Sequence, residues 1–161
     1  MGNPICMPTV SRTFNVSPPP AVVVDYLKDF GHAEQWDPGT QSCQRVDSGP
    51  VVEGSSWHNV SKIFGVTAKL TYKLQELTDR KLVFVGENKS STSVDTITVD
   101  AAGAGSVVTY EADLEMHGAA KLLNPAMKLA FEKLAGDTEK QLTTVLNQLA
   151  TNSGQPGGAS R

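Results

Sequence analysis

The hydrophobic pattern is clearest between Gly105 and Leu149, where a strand pattern is followed by a long helix pattern. From 106 to 116, apolar and polar residues alternate, as in a strand with one buried face. The residues expected on that buried face are Val108, Tyr110, Ala112, Leu114 and Met116. The next apolar residues recur in steps of three and four, broken only at Thr138, which predicts an amphipathic helix. These helix positions are Leu123, Met127, Ala130, Leu134, Leu142, Val145 and Leu149.

Upstream of this region the pattern predicts six more strands and two short helices. A first strand at Thr9–Val16 is followed by three prolines, which open a helix whose body is 21–28, and a second short helix falls within 29–39. The remaining strands are predicted at about 42–47, 56–64, 66–77, 81–88 and 92–99. The connections are short and carry turn residues, so we expect an antiparallel meander. Asn124 and Pro125 are expected to interrupt the last helix near its start.

The length and the terminal composition indicate one domain with short extensions. A chain of 161 residues without an internal repeat or a low-complexity linker is typical of a single domain, here 9–150. Residues 1–8 form an N-terminal extension. The segment 151–161, T-N-S-G-Q-P-G-G-A-S-R, has no large apolar residue, so it is predicted to be a disordered tail. The pattern leaves the oligomeric state open.

The charge and the hydropathy exclude several classes of partner. The formal net charge is −3 and the isoelectric point is about 5.6, so no basic surface is expected to attract nucleic acid or anionic lipid. No apolar run approaches the roughly 20 residues that span a bilayer, and the N-terminus does not resemble a secretion signal. We therefore expect a cytoplasmic protein without a transmembrane segment.

The cysteines and histidines are too few and too scattered for a metal site or a cofactor. Cys6 and Cys43 are the only cysteines, and Cys43 is expected to be free and packed as a small hydrophobe. His32, His58 and His117 show none of the close spacings of metal ligands. We expect neither a bound metal nor a cofactor.

Three segments of this chain resemble the START-like superfamily, also called SRPBCC. They are D-F-G-H-A-E-Q-W-D-P at 29–38, V-E-G-S-S-W at 52–57 and G-S-V-V-T-Y-E-A-D-L-E at 105–115. The resemblance spans 9–150 and is nearest to the small polyketide cyclase/dehydrase-like members. It implies an α+β helix-grip fold, in which a seven-stranded antiparallel sheet wraps around a long C-terminal helix and two short helices follow strand 1.

The superfamily resemblance also implies a hydrophobic ligand cavity between the sheet and the long helix. Its members include lipid carriers, aromatase/cyclases, coenzyme Q-binding proteins and ribosome-associated toxins, so the fold alone does not choose the function. The resemblance therefore shifts attention to the side chains that face inward.

Strand alternation predicts which side chains form the cavity wall. His58 is assigned to the outer face, and Lys69 and Lys73 are also assigned outward. In 81–88 both faces are apolar, and we choose Phe84 as inward. The expected wall comprises Trp57, Asn59, Leu70, Tyr72, Phe84, Tyr110, Leu114 and Met116 from the sheet, with Met127, Phe131 and Leu134 from the helix. The competing interpretation is that this stripe is solid core. Trp36 is interpreted as the anchor of a short helix rather than as a gate.

Asp95 is the one carboxylate that alternation turns inward. It shares a face with Ile97 and Val99, so it is a candidate general base with a raised pKa, unless it is solvated at the strand end. No nucleophile elbow, P-loop or dinucleotide motif appears in the sequence. The first hypothesis is a carrier or sensor of a lipid, an isoprenoid or quinone, or an aromatic polyketide. The alternative is a cyclase or aromatase that uses Asp95, Tyr110 and Asn59, and a third is a macromolecular interaction module.

Overall fold

A computed structural model describes residues 9–63, 65–117 and 125–153, with side chains except at 63, 125–127 and 152–153. Strands and helices follow one another in the predicted order. The strands are β1 (Thr9–Val16), β2 (Thr40–Arg45), β3 (Ser56–Ile63), β4 (Val66–Leu77), β5 (Lys81–Glu87), β6 (Ser91–Ala102) and β7 (Gly105–Met116). The helices are α1 (Pro20–Leu27), a 3-10 turn (Phe30–His32), α2 (Ala33–Trp36) and α3 (Pro125–Ser153). The predicted α+β helix-grip fold is confirmed.

The seven strands form one antiparallel sheet in the order β1-β7-β6-β5-β4-β3-β2. From β2 to β7, consecutive strands pair with one another, and β1 pairs with β7 to form the other edge of the sheet. The meander is possible because the connections are short; at the β3–β4 turn Gly65 has φ +79°, a conformation that glycine adopts without a steric penalty. In this register Asp95 of β6 lies between Phe84 of β5 and Ala112 of β7.

Some element boundaries differ from the predicted ones. β6 continues to Ala102 because its hairpin with β7 stays paired up to Gly105, so the ladder extends beyond the residues with strand propensity. α3 reaches Ser153, three residues beyond the predicted domain end at Ala150. Leu123, Asn124, residues 1–8 and the rest of the tail lie outside the described residues, so those predictions remain untested.

The solid core lies between the sheet, the short helices and the C-terminal part of α3. Its fully buried members include Val23, Leu27, Trp57, Leu74, Leu82, Phe84, Ile97, Val99, Val108, Leu142 and Leu146. Trp36 is 1% exposed, in keeping with an anchor, and Cys43 is buried and free. Burial raises the pKa of the Cys43 thiol to about 12, so the residue is an inert neutral thiol at physiological pH.

The inward face of α3 includes the predicted Leu134 and Leu142 but departs from the predicted face at other positions. Thr138 and Leu146 are buried, whereas Val145 and Leu149 are only partly buried. The phase differs because the pattern weights only apolar residues, while the packed helix follows the four-residue row through Thr138, Leu142 and Leu146.

Arg12 fastens α3 to the edge of the sheet. It lies on the inner face of β1, where its guanidinium donates to the Glu132 carboxylate at 2.8 Å and lies 3.6 Å from Glu139. The Arg12 side chain also donates to the main-chain oxygen of Glu132 at 3.1 Å. These contacts hold the N-terminal half of the helix over the open half of the sheet.

Candidate functional site

A cavity of about 340 Å³ lies between the sheet and α3, next to the solid core. Its volume lies within the range of small-molecule sites. The residues that line it are Val10, Phe30, Asp37, Asn59, Ser61, Val66, Ala68, Leu70, Tyr72, Ser91, Ser93, Asp95, Tyr110, Ala112, Leu114, Met116, Phe131, Leu134, Ala135 and Thr138. Most of this lining is apolar, so a ligand there would be largely removed from water.

The strand register orders these residues by depth. Along β6 the inward residues run from Ser91 at the hairpin end through Ser93 to Asp95, and Ile97 beyond them belongs to the solid core. On the antiparallel strand β7, the inward residues go from Met116 at the same end to Tyr110, since Met116 pairs with Ser91. The rim includes Val66 and Met116 and is open to solvent, because Val66 is 67% exposed. The cavity therefore has an apolar rim and a polar floor.

Asp95 is the central group of the floor. The residue is 4% exposed, and its Oδ1 accepts a long hydrogen bond of 3.4 Å from the Ser93 hydroxyl. Burial, and then the charge of Asp37, raise the pKa of Asp95 to about 7. Hydrogen bonding by Ser93, Tyr110 and Tyr72 favours the ionised form and offsets only part of this rise. Asp95 therefore exchanges a proton near neutral pH.

Asp37 brings a second carboxyl group to the floor from the turn between α2 and β2. Its two oxygens accept hydrogen bonds from the Gly39 amide at 3.0 Å and the Thr40 hydroxyl at 2.8 Å. Asn59 donates in turn to the Thr40 hydroxyl at 3.1 Å. Burial raises the pKa of Asp37 as well, against these hydrogen bonds. Asp37 is thus held by its own turn, whereas Asp95 retains capacity to accept hydrogen bonds.

Two tyrosine rings flank the Asp95 carboxyl. Burial and the nearby Asp95 charge raise the pKa of both Tyr72 and Tyr110 well above the usual value, so both hydroxyls remain protonated donors. The Tyr72 ring lies over Gly86, where a β-carbon would come within 2.6 Å of the ring, and 4.4 Å from the Phe30 ring centroid. Gly86 therefore provides the space that Tyr72 occupies.

The family model described as polyketide cyclase / dehydrase and lipid transport matches residues 7–153. The chain belongs to this family. The predicted START-like, polyketide cyclase-like relationship is therefore confirmed. A search of curated proteins found no match.

Solved structures of the superfamily share the fold at low sequence identity. A START superfamily protein from Mycobacterium smegmatis superposes with a TM-score of 0.72 at 14% identity, covering 88% of this chain and 98% of that one. The Zhui aromatase/cyclase from Streptomyces sp. R1128 gives a TM-score of 0.72 at 16% identity, covering 95% and 99%. The major latex-like protein 151 from Panax ginseng gives a TM-score of 0.66 at 13% identity, covering 87% and 97%. At these identities the likeness concerns the fold alone.

The structure brings together most of the side chains that the sequence pattern assigns to the cavity wall. Eight of them line the cavity: Asn59, Leu70, Tyr72, Tyr110, Leu114, Met116, Phe131 and Leu134. Trp57 and Phe84 face inward but lie deeper, in the solid core; the Trp57 indole donates to Asp29 Oδ1 at 3.0 Å. The side chain of Met127 lies outside the described residues.

Sequence reasoning missed Asp37, Phe30 and Thr138. Asp37 belongs to an Asp-Pro-Gly turn, and the turn signal concealed a second role for its carboxyl group. Alternation placed Ala68 and Ala112 on inner faces, but the predicted cavity wall did not include them; both line the cavity. Small residues at inward positions are the sequence feature that could have indicated a cavity, because short side chains leave volume unfilled.

Other side chains lie where alternation assigns them. His58, Lys69 and Lys73 are exposed on the outer face. Within the described ranges, no cluster of three or more histidine, cysteine or acidic residues is arranged to hold a metal ion. None of the helices described is long and apolar enough to cross a membrane.

Proposed function

We propose that the protein binds a small, largely hydrophobic molecule in this cavity, as a carrier or a sensor. The observation that carries the proposal is a space of about 340 Å³ with apolar walls and a polar floor. A lipid, an isoprenoid or quinone, or an aromatic polyketide would place its apolar body against Leu114 and Phe131 and its polar end near Asp95. The family description, which includes lipid transport, supports this proposal.

An uncharged apolar dye tests the proposal directly. N-phenylnaphthylamine should bind with enhanced, blue-shifted emission, because the walls exclude water. Ala112→Leu adds bulk in the centre of the cavity and should weaken dye binding by about tenfold or more. Ala101→Leu, at an exposed position on the adjacent strand, is the matched control and should bind like the unmodified protein. Failure of the folded protein to bind the dye, or equal binding by Ala112→Leu, would contradict the proposal.

A second candidate function is acid–base catalysis of the cyclase or dehydratase type. It is favoured by one observation, the buried Asp95 carboxyl with a pKa of about 7 beside two protonated tyrosines. A general base is most effective when its pKa is close to the working pH. Asn59 also lines the cavity, but its amide donates to Thr40 and supports the floor.

The floor groups suit enolisation followed by ring closure. Ionised Asp95 would accept the proton from a carbon next to a carbonyl group, while the hydroxyl of Tyr110 or Tyr72 would donate a hydrogen bond to the developing enolate oxygen. The enolate carbon would then form a bond to a second carbonyl carbon. The proton held by Asp95 would return to the resulting alkoxide oxygen, which restores the carboxylate.

Turnover of a poly-β-carbonyl substrate separates the two candidates. For an enzyme, Asp95→Asn should abolish cyclisation while ligand affinity changes little, because the amide cannot accept the proton. For a carrier, the unmodified protein should show retention or transfer of ligand with no turnover. Asp100→Asn removes an exposed carboxyl from the same strand and serves as the control.

A further inference from the structure

The ionisable groups among the described residues that line the cavity are acidic rather than basic. Its floor holds two carboxyl groups, Asp37 and Asp95, and none of the described residues that line it is a lysine, an arginine or a histidine. Arg12 is a cation on the inner face, but it is engaged with Glu132 and Glu139. A ligand whose polar end reaches the floor therefore meets negative charge without a compensating cation among these residues.

The hydrogen-bonding groups of the floor also favour a ligand that donates a hydrogen bond over one that carries negative charge. Asp37 accepts hydrogen bonds from within its own turn. Every donor to Asp95, in contrast, is a side chain of the cavity lining: Ser93, Tyr72 and Tyr110. A carboxylate offers about four acceptor positions. With three donors in place, Asp95 keeps acceptor capacity that a ligand in the cavity can use.

We infer that the bound molecule ends in a hydrogen-bond donor without negative charge, a hydroxyl or an amino group, and that carboxylates such as fatty acids are excluded. This inference rests on the proposed function and specifies its ligand class. A donor group pairs with Asp95, beside the hydroxyls of Tyr72 and Tyr110 that donate to the same carboxylate. A ligand carboxylate would place a like charge next to Asp95 in a site of low polarity, where such repulsion is strong.

Three probes with one hydrophobic body test the inference: naphthylmethanol, naphthylmethylamine and naphthoate, substituted at the same ring position. At about pH 8, where naphthoate and most of Asp95 are ionised, the alcohol and the amine should each bind at least about tenfold more tightly than naphthoate. In Asp95→Asn the alcohol and the amine should lose most of their advantage over naphthoate, because naphthoate no longer meets a like charge. Asp100→Asn, the exposed carboxyl of β6, should keep the selectivity of the unmodified protein.

The outcomes separate this inference from the proposed function. Equal binding of all three probes by the unmodified protein would leave a hydrophobic site but overturn the assignment of ligand class. Tighter binding of naphthoate would overturn it as well. Methylnaphthalene, which has the same hydrophobic body without a polar group, tests the proposed function separately. If neither it nor any of the three probes binds to the folded protein, both the proposed function and the inference are wrong.

Discussion

Replacing Asp95 by asparagine should stabilise the protein at neutral pH and remove much of its pH dependence. The pKa of Asp95 rises from 3.8 to about 7 on folding, so the folded state binds this proton more tightly than the unfolded chain does. Its contribution to stability is therefore fully present below about pH 4, declines as the pH rises and is lost above about pH 7. A shift of this size corresponds to roughly 4 kcal/mol, of which about 3 kcal/mol falls between about pH 5 and pH 8.

Urea unfolding measured at several pH values, followed by the fluorescence of Trp36 and Trp57, tests this prediction. The free energy of unfolding of the natural sequence should fall across this pH range, and Asp95→Asn should be the more stable protein at the upper end. A smaller residual slope should persist, because burial also raises the pKa of Asp37. Asp100→Asn should retain the full slope, since that carboxyl group is exposed. Parallel curves for the natural sequence and Asp95→Asn would refute the assignment of a buried Asp95 with a raised pKa.

Two further substitutions examine how the site is built. Gly86→Ala should displace the Tyr72 ring, lower the free energy of unfolding by roughly 1–3 kcal/mol and weaken dye binding; Gly136→Ala, whose β-carbon meets open space in α3, is the control and should be neutral or stabilising. Unchanged stability and binding in Gly86→Ala would show that the ring does not need this space. His58→Ala should change stability by less than about 0.5 kcal/mol and leave dye affinity unaltered, because His58 is exposed. A loss of binding there would mean that β3 has the opposite face inward.

Local alternation determined which face of most strands turns inward. It placed Tyr72, Tyr110 and Asp95 on inner faces, because a strand with one wet face repeats every two residues whatever lies beside it. The strand boundaries were also close, since turn residues interrupt the pattern at each hairpin. β5 is the exception: both of its faces are apolar, and only its pairing with β4 and β6 turns Phe84 inward.

Only the tertiary structure decided three features: which inward side chains line the cavity, which face of α3 is buried, and that Asp37 lies near Asp95. Trp57 and Asn59 share a face of β3, yet Trp57 belongs to the core and Asn59 lines the cavity. The difference arises because the segment before α2 packs on Trp57, through Phe30 and Asp29. Asp37 reaches Asp95 only through the packing of a turn against strands distant in sequence. Period and propensity describe a residue and its near neighbours, whereas an unfilled volume depends on all the side chains that surround it.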